Sequence, residues 1–140
     1  MAKKPRILFV STGSPERSQI AEGFAHYFGG SLIVVESAGT VASELDPYCQ
    51  WAMNEAGIDI SLQSPELLEK KDLNSYDRII AVGSDRQGEY PSFPDTPEVE
   101  HWEVPDPLIP GLGPQDLIQS VRAVRNQIEI QVKRLLGDLL

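Results

Sequence analysis

Cysteine is nearly absent from this chain of 140 residues, and its single copy, Cys49, has nothing to pair with. No internal disulfide can form, so a reducing cytoplasm is the expected setting. Histidine is almost as scarce. His26 is expected on the exposed side of a helix and His101 on a strand, and lone imidazoles without partners read as structural. Positive charge is short as well, with 12 Lys and Arg against 21 Asp and Glu, a net charge of −9. That balance argues against non-specific nucleic-acid binding, which needs a cationic surface to displace counterions. It also makes any anion site a local device working against the field of the whole protein. No stretch approaches a membrane span, and the apolar run after Met1-Ala2-Lys3-Lys4-Pro5-Arg6 is too short for a signal sequence. Internal repeats and low-complexity tracts are missing, and no cofactor or metal is expected. With 41% hydrophobic residues, the chain is the right size for one domain, 1–140, with a real core.

Within that length, four segments read as strands: about Arg6–Val10, Leu32–Glu36, Asp77–Val82 and Val99–Glu103. Helical patterns lie between them, the alternation of an α/β fold with a parallel sheet and helices on both faces. The first helix spans about Arg17–Phe28 and stops at Gly29-Gly30. The second has Asp46 as its cap, Pro47 at the first helical position and Gly57 past its end. Ser64-Pro65 repeats the start signal for a shorter helix. The last runs from about Pro114 to Leu136, with Leu117, Val121, Val124, Ile128, Val132 and Leu135 as its buried stripe. Two irregular loops, Gly83–Pro97 and Asp106–Pro114, follow the third and fourth strands, and right-handed crossovers would bring both to one rim of the sheet.

The most telling segment is Val10-Ser11-Thr12-Gly13-Ser14-Pro15-Glu16-Arg17-Ser18. It follows the strand Ile7–Val10 and precedes a stretch in which Ile20, Ala21, Phe24 and Phe28 recur at helical spacing. A strand, a tight polar loop and a helix N-terminus make an anion site, because backbone N–H groups converge there and the helix dipole adds positive potential. Arg17 ends the loop with a planar fork suited to two oxygens of a phosphate. The candidate ligands for phosphate are therefore Thr12, Gly13, Ser14, Glu16, Arg17 and Ser18, and a phosphate, a sulfate or a phosphorylated protein is the expected partner.

In its spacing the segment resembles the low-molecular-weight protein tyrosine phosphatases and the thioredoxin-coupled arsenate reductases that share their fold. These carry cysteine, five residues, arginine and serine in the same strand–loop–helix context. Ser37-Ala38-Gly39-Thr40, Ala56-Gly57-Ile58-Asp59-Ile60-Ser61 and His101-Trp102-Glu103-Val104-Pro105-Asp106-Pro107 match in the same order, with wording closer to the arsenate reductases. The resemblance implies a three-layer, phosphotyrosine phosphatase I-like fold with strand order 2-1-3-4. It implies Ser11 at the nucleophile position, Arg17 as oxyanion ligand and Asp106 as general acid, although before Pro107 an aspartate is equally a turn former. Glu22 and Ser37 match positions that in some relatives order the loop, sometimes around a potassium ion.

The departures point away from turnover. Ser11 stands where the family has cysteine, and an alcohol stays protonated under conditions that ionise a thiol. A serine nucleophile relies on an adjacent base, and the motif places neither histidine there. Pro15 brings no N–H. Glu16 adds a carboxylate beside a site meant for a dianion, a repulsion that an outward-pointing side chain would limit. The loop Gly83–Tyr90 has no cysteine for a disulfide relay, and Cys49 reads as a small core residue on the second helix, so arsenate reduction is not expected. The leading expectation is a catalytically impaired member that binds an oxyanion. The alternatives are an active phosphatase whose nucleophile is Ser11, or a cysteine that the serine replaced, and an interaction module using another surface. An exchange made to trap substrate would leave the rest of the loop alone, and here Ser14, Pro15 and Glu16 differ too, which favours natural divergence.

Overall fold

The apolar runs Ile7–Val10 and Ile79–Val82 are fully buried as strands of a covered sheet, whose strands pair in parallel. A computed structural model describes residues 3–13, 15–41, 43–64, 66–84, 93–94 and 98–140. Its strands are β1 (Arg6–Ser11), β2 (Val34–Gly39), β3 (Arg78–Gly83) and β4 (Glu98–Glu103), in the order β2-β1-β3-β4. This is the expected α/β architecture and strand order. β2 begins later than expected, because Gly30–Leu32 form a 3-10 turn, and it extends to the rim, where Ser11 pairs with Gly39.

Among the described residues three α-helices accompany the sheet: α1 (Glu16–Gly29), α2 (Pro47–Glu55) and α3 (Pro114–Leu139). α2 starts as expected, with the Asp46 side chain accepting from the Tyr48 N–H and Pro47 in its first turn. Helical segments lie on both faces, but unequally. Ile7 and Phe9 of β1 share one core with Ile20, Phe24, Cys49, Met53 and the buried stripe Val121, Val124, Ile128, Val132 and Leu135, so all three α-helices cover that face. Leu8 and Val10 face the other way, into a thinner cluster with Leu68, Tyr76 and Ile79. There the cover is two 3-10 turns, Leu68–Lys70 and Leu73–Ser75. The shorter helix expected from Ser64-Pro65 is thus only the single turn Leu68–Lys70; Pro65 itself lies outside the described residues.

Charged groups close the edges. Glu55 at the end of α2 accepts from Arg122 at 3.0 and 2.7 Å and from Arg125 at 2.7 Å. Those guanidinium groups, Arg122 first, hold its carboxyl down to about 2. On the thin face Glu36 gathers Lys71 at 2.8 Å, Tyr76 at 3.2 Å and Arg6 at 3.3 Å, and its carboxyl is lowered chiefly by Lys71. β4 is an edge strand with Glu98, Glu100, His101 and Glu103 exposed, charge that discourages pairing with a further chain. Among the described residues no helix is long and apolar enough to cross a membrane.

Candidate functional site

The central strand leads directly into the loop singled out in the sequence. Ser11 is the last residue of β1 and is fully buried. Its Oγ accepts the Ser18 N–H at 2.6 Å, so the side chain caps the first turn of α1. Ser18 in turn gives its hydroxyl proton to the Pro15 carbonyl at 3.0 Å. Among the described residues neither a carboxylate nor an imidazole bonds the Ser11 hydroxyl. His26 is on α1 against Glu22 at 3.1 Å, and His101 stands on the exposed edge strand. The sequence placed both histidines away from Ser11, and so does the structure.

The loop turns at Gly13, whose φ of +65° is a conformation that side chains disfavour. A brace from the end of β2 fixes it. Thr40 donates its N–H to the Ser11 carbonyl at 3.2 Å, Val41 donates to the Gly13 carbonyl at 3.1 Å, and Gly13 donates to Thr40 Oγ1 at 2.8 Å. Of the amides expected to face an anion, those of Gly13 and Ser18 therefore have internal acceptors and Pro15 has none to give. The first-turn amides of Glu16 and Arg17 lack intrahelical acceptors, as every helix start does. Ser14 lies outside the described residues. The role of Thr40 was missed in the sequence, although the Ser37–Thr40 match contained it.

Arg17 is buried, at 6% exposure. Nη1 donates to the Val104 carbonyl at 2.7 Å and Nη2 to the Thr12 carbonyl at 3.2 Å. Two of the five guanidinium N–H groups are used, leaving three. Among the described residues no carboxylate forms an ion pair with it. The guanidinium lines a cleft of about 370 Å³ together with Thr12, Gly13, Thr40, Ser84 and Asp106. Asp106 is exposed at that cleft, and its Oδ1 accepts the Leu108 N–H at 2.9 Å. It is a turn former that also lines the cleft. Ser120 on α3 secures the loop by donating to the Pro107 carbonyl at 2.8 Å.

Glu16 does not point outward. It is buried to 4% exposure in the first turn of α1, and its Oε2 has no hydrogen-bond partner among the described residues. Its charge reaches Cys49 on α2. Burial pushes the Cys49 thiol up, and the carboxylates of Glu16, Asp46 and Asp106 push it further. That thiol stays protonated and unreactive, in keeping with its place in the core.

On the β2 side of α1 a second polar group is fully connected. Gln19 Nε2 donates to Ser37 Oγ at 2.6 Å, the Ser37 hydroxyl donates to Glu22, and Gln63 Nε2 donates to Gln19 Oε1 at 2.8 Å. Glu22 and Ser37 thus hold each other directly. Among the described residues no cluster of three or more His, Cys, Asp or Glu side chains is arranged to hold a metal ion. Trp102 is core, tilted against Phe9 at 5.8 Å between ring centres, while Leu108 is partly buried against the same core. Tyr90 lies outside the described residues, as do 85–92 and 95–97 of the same loop.

Comparison with known proteins agrees with this geometry. A family model described as low molecular weight phosphotyrosine protein phosphatase matches residues 6–140. The arsenate reductase of Shouchella clausii (strain KSM-K16) is 35% identical over 134 residues, covering 96% of each chain. A solved structure of an arsenate reductase in the oxidized state superposes with a TM-score of 0.82 at 31% identity, covering 96% of this chain and 98% of that one. Another, of an arsenate reductase in the phosphate binding state, gives 0.76 at 28% identity over 97% and 99%.

Proposed function

Because the chain belongs to the low-molecular-weight phosphotyrosine protein phosphatase family, we propose that it keeps the anion-binding half of that family's site without the nucleophilic half. The site takes phosphate, sulfate or a phosphorylated partner at the Ser11–Ser18 loop and does not turn it over. The observation that carries this reading is Arg17. Its fork is held at the cleft by two carbonyls, with three N–H groups left over and no ion pair to a carboxylate among the described residues. A buried guanidinium in that position needs a negative charge to compensate its lost hydration, and an oxyanion in the cleft supplies it. A relative of the same fold solved in a phosphate-binding state supports the choice of ligand.

The absence of turnover follows from Ser11. Its oxygen is the acceptor of a helix-capping bond, and no base among the described residues takes its proton. A helix N-terminus stabilises a thiolate but leaves an alcohol protonated near neutral pH. Arsenate reduction is outside this chemistry, because the chain has one cysteine and that thiol is buried and held protonated.

Calorimetric titration of the protein with phosphate and with sulfate, followed by an aryl-phosphate assay on the same sample, tests the reading. Saturable binding without turnover is expected, weakened on the order of 100-fold by Arg17→Ala. Turnover that disappears in Asp106→Ala would instead establish a serine-based phosphatase. Absence of anion binding would send the search to another surface.

A further inference from the structure

The residue that follows β2 does more at the cleft than brace the loop through its backbone. Thr40 is exposed there and lines the cleft with Thr12, Arg17, Ser84 and Asp106. Its Oγ1 accepts the Gly13 N–H at 2.8 Å. A hydroxyl has one proton to give besides its lone pairs, and among the described residues no acceptor takes the Thr40 proton. Donors for an anion are short at this place. The Gly13 amide is turned to Thr40, the Ser18 amide to Ser11 Oγ, and Pro15 has no N–H. What the loop withholds as amides, the threonine returns as an O–H.

We propose, as a deepening of the oxyanion reading on which it rests, that Thr40 is a ligand of the bound oxyanion and works as a relay. Gly13 N–H donates to Thr40 Oγ1, and the Thr40 O–H donates to the anion. Accepting one hydrogen bond polarises a hydroxyl and makes it a better donor, so the Gly13 amide acts on the ligand through the side chain rather than directly. The added donor is neutral, in a cleft whose one cationic side chain among the described residues is Arg17. The relay also ties ligand to loop. An anion that draws on the Thr40 proton strengthens the bond that holds Gly13 at its φ of +65°, and the coupling acts equally in reverse.

The backbone half of the brace does not need the hydroxyl. Thr40 N–H to the Ser11 carbonyl at 3.2 Å and Val41 N–H to the Gly13 carbonyl at 3.1 Å are main-chain bonds that a new side chain leaves in place. Thr40→Val therefore removes the relay while keeping the shape of the side chain. Thr40→Ser keeps the hydroxyl and drops the methyl group.

Sulfate titration of wild type and both variants, with the Gly13 amide proton followed by NMR in the same samples, separates a ligand from a structural prop. Wild type and Thr40→Ser are expected to bind sulfate within about threefold of each other, the loss of a methyl group costing little. Both should shift the Gly13 amide proton downfield as sulfate saturates. Thr40→Val is expected to bind on the order of tenfold more weakly, as for one lost hydrogen bond to a charged group, and to move that amide far less. If Thr40→Val binds sulfate as wild type does and moves the Gly13 amide alike, the relay is wrong while the oxyanion reading stands. If Thr40→Ser is as weak as Thr40→Val, the methyl group and its packing carry the effect, and the relay is equally wrong. If wild type binds no sulfate, or binds it no better than Arg17→Ala, both readings fall together.

Discussion

Helix α1 borders two polar regions whose hydrogen bonds close differently. Toward β2, beside a cleft of about 580 Å³, Gln63, Gln19, Ser37, Glu22 and His26 form a continuous run in which each group meets a partner. At the rim of the sheet, Ser11 and Ser18 are satisfied, Arg17 uses two of its five N–H groups, and one oxygen of Glu16 has no partner among the described residues. The larger of these two clefts is the better-satisfied one, and the unused donors of Arg17 lie at the smaller. Incomplete accounting in a buried region marks where a ligand belongs, because completed networks fix structure and leave nothing to recruit.

Ser11→Cys is the change that would separate the two regions most. A thiol in place of the capping hydroxyl sits at a helix N-terminus, where its thiolate is favoured. Aryl-phosphate hydrolysis is expected to appear in a single-turnover or steady-state assay and to fall on the order of 100-fold in the Ser11→Cys, Asp106→Ala double variant. Adding Glu16→Gln to Ser11→Cys should raise the rate further by removing a neighbouring charge. No hydrolysis in any of these would mean that more than the nucleophile has been lost.

Ser37→Ala breaks the other side. It strips Gln19 Nε2 and Glu22 Oε1 of a shared partner in a region where Ser37 is 4% exposed. A loss of about 1–3 kcal/mol is expected in urea unfolding, with sulfate affinity little changed. Glu16→Gln should move stability the opposite way, by about 1 kcal/mol or less, since it removes a buried charge with an unpartnered oxygen. Equal losses in the two variants would erase the distinction between the regions.

The smallest effect belongs to His26. Its hydrogen bond to Glu22 raises its imidazole above the ordinary value, against an opposing effect of burial. A raised folded-state value stabilises fully below the ordinary imidazole range, and the contribution is lost as pH rises through the folded-state value. The side chain is half exposed, so solvent screening limits this to a few tenths of a kcal/mol at most. His26→Gln should flatten that slope in unfolding curves taken from pH 5 to 8.

Much of this was legible in the residues themselves. The block Ile7–Val10, the Asp46-Pro47 start and the stripe Val121 to Leu135 announce β1, α2 and α3, because burial on one face imposes a period on the sequence. The spacing from Ser11 to Ser18 announced the loop. Glu16 was not readable, because a glutamate in a first turn is locally favourable whichever way it points, and only tertiary packing decides that it is covered. Nor was the anchoring of Arg17 by Val104, 87 residues away and through a backbone carbonyl that any residue could supply. Ser64-Pro65 misled for the opposite reason, a local start signal with no long amphipathic stretch behind it to propagate a helix.

β1 lies between two strands that come later in the chain: Ile7 pairs with Val35 on one side and with Arg78 on the other. During synthesis, at about 5–20 residues per second, the first strand waits of the order of 4–14 s for its second neighbour. Throughout that interval an apolar strand edge is open. The loop that holds Arg17 is translated among the first residues and reaches its final shape among the last, since Val104 must arrive before the guanidinium is anchored. A ribosome stalled before that point would display the anion loop without its clamp.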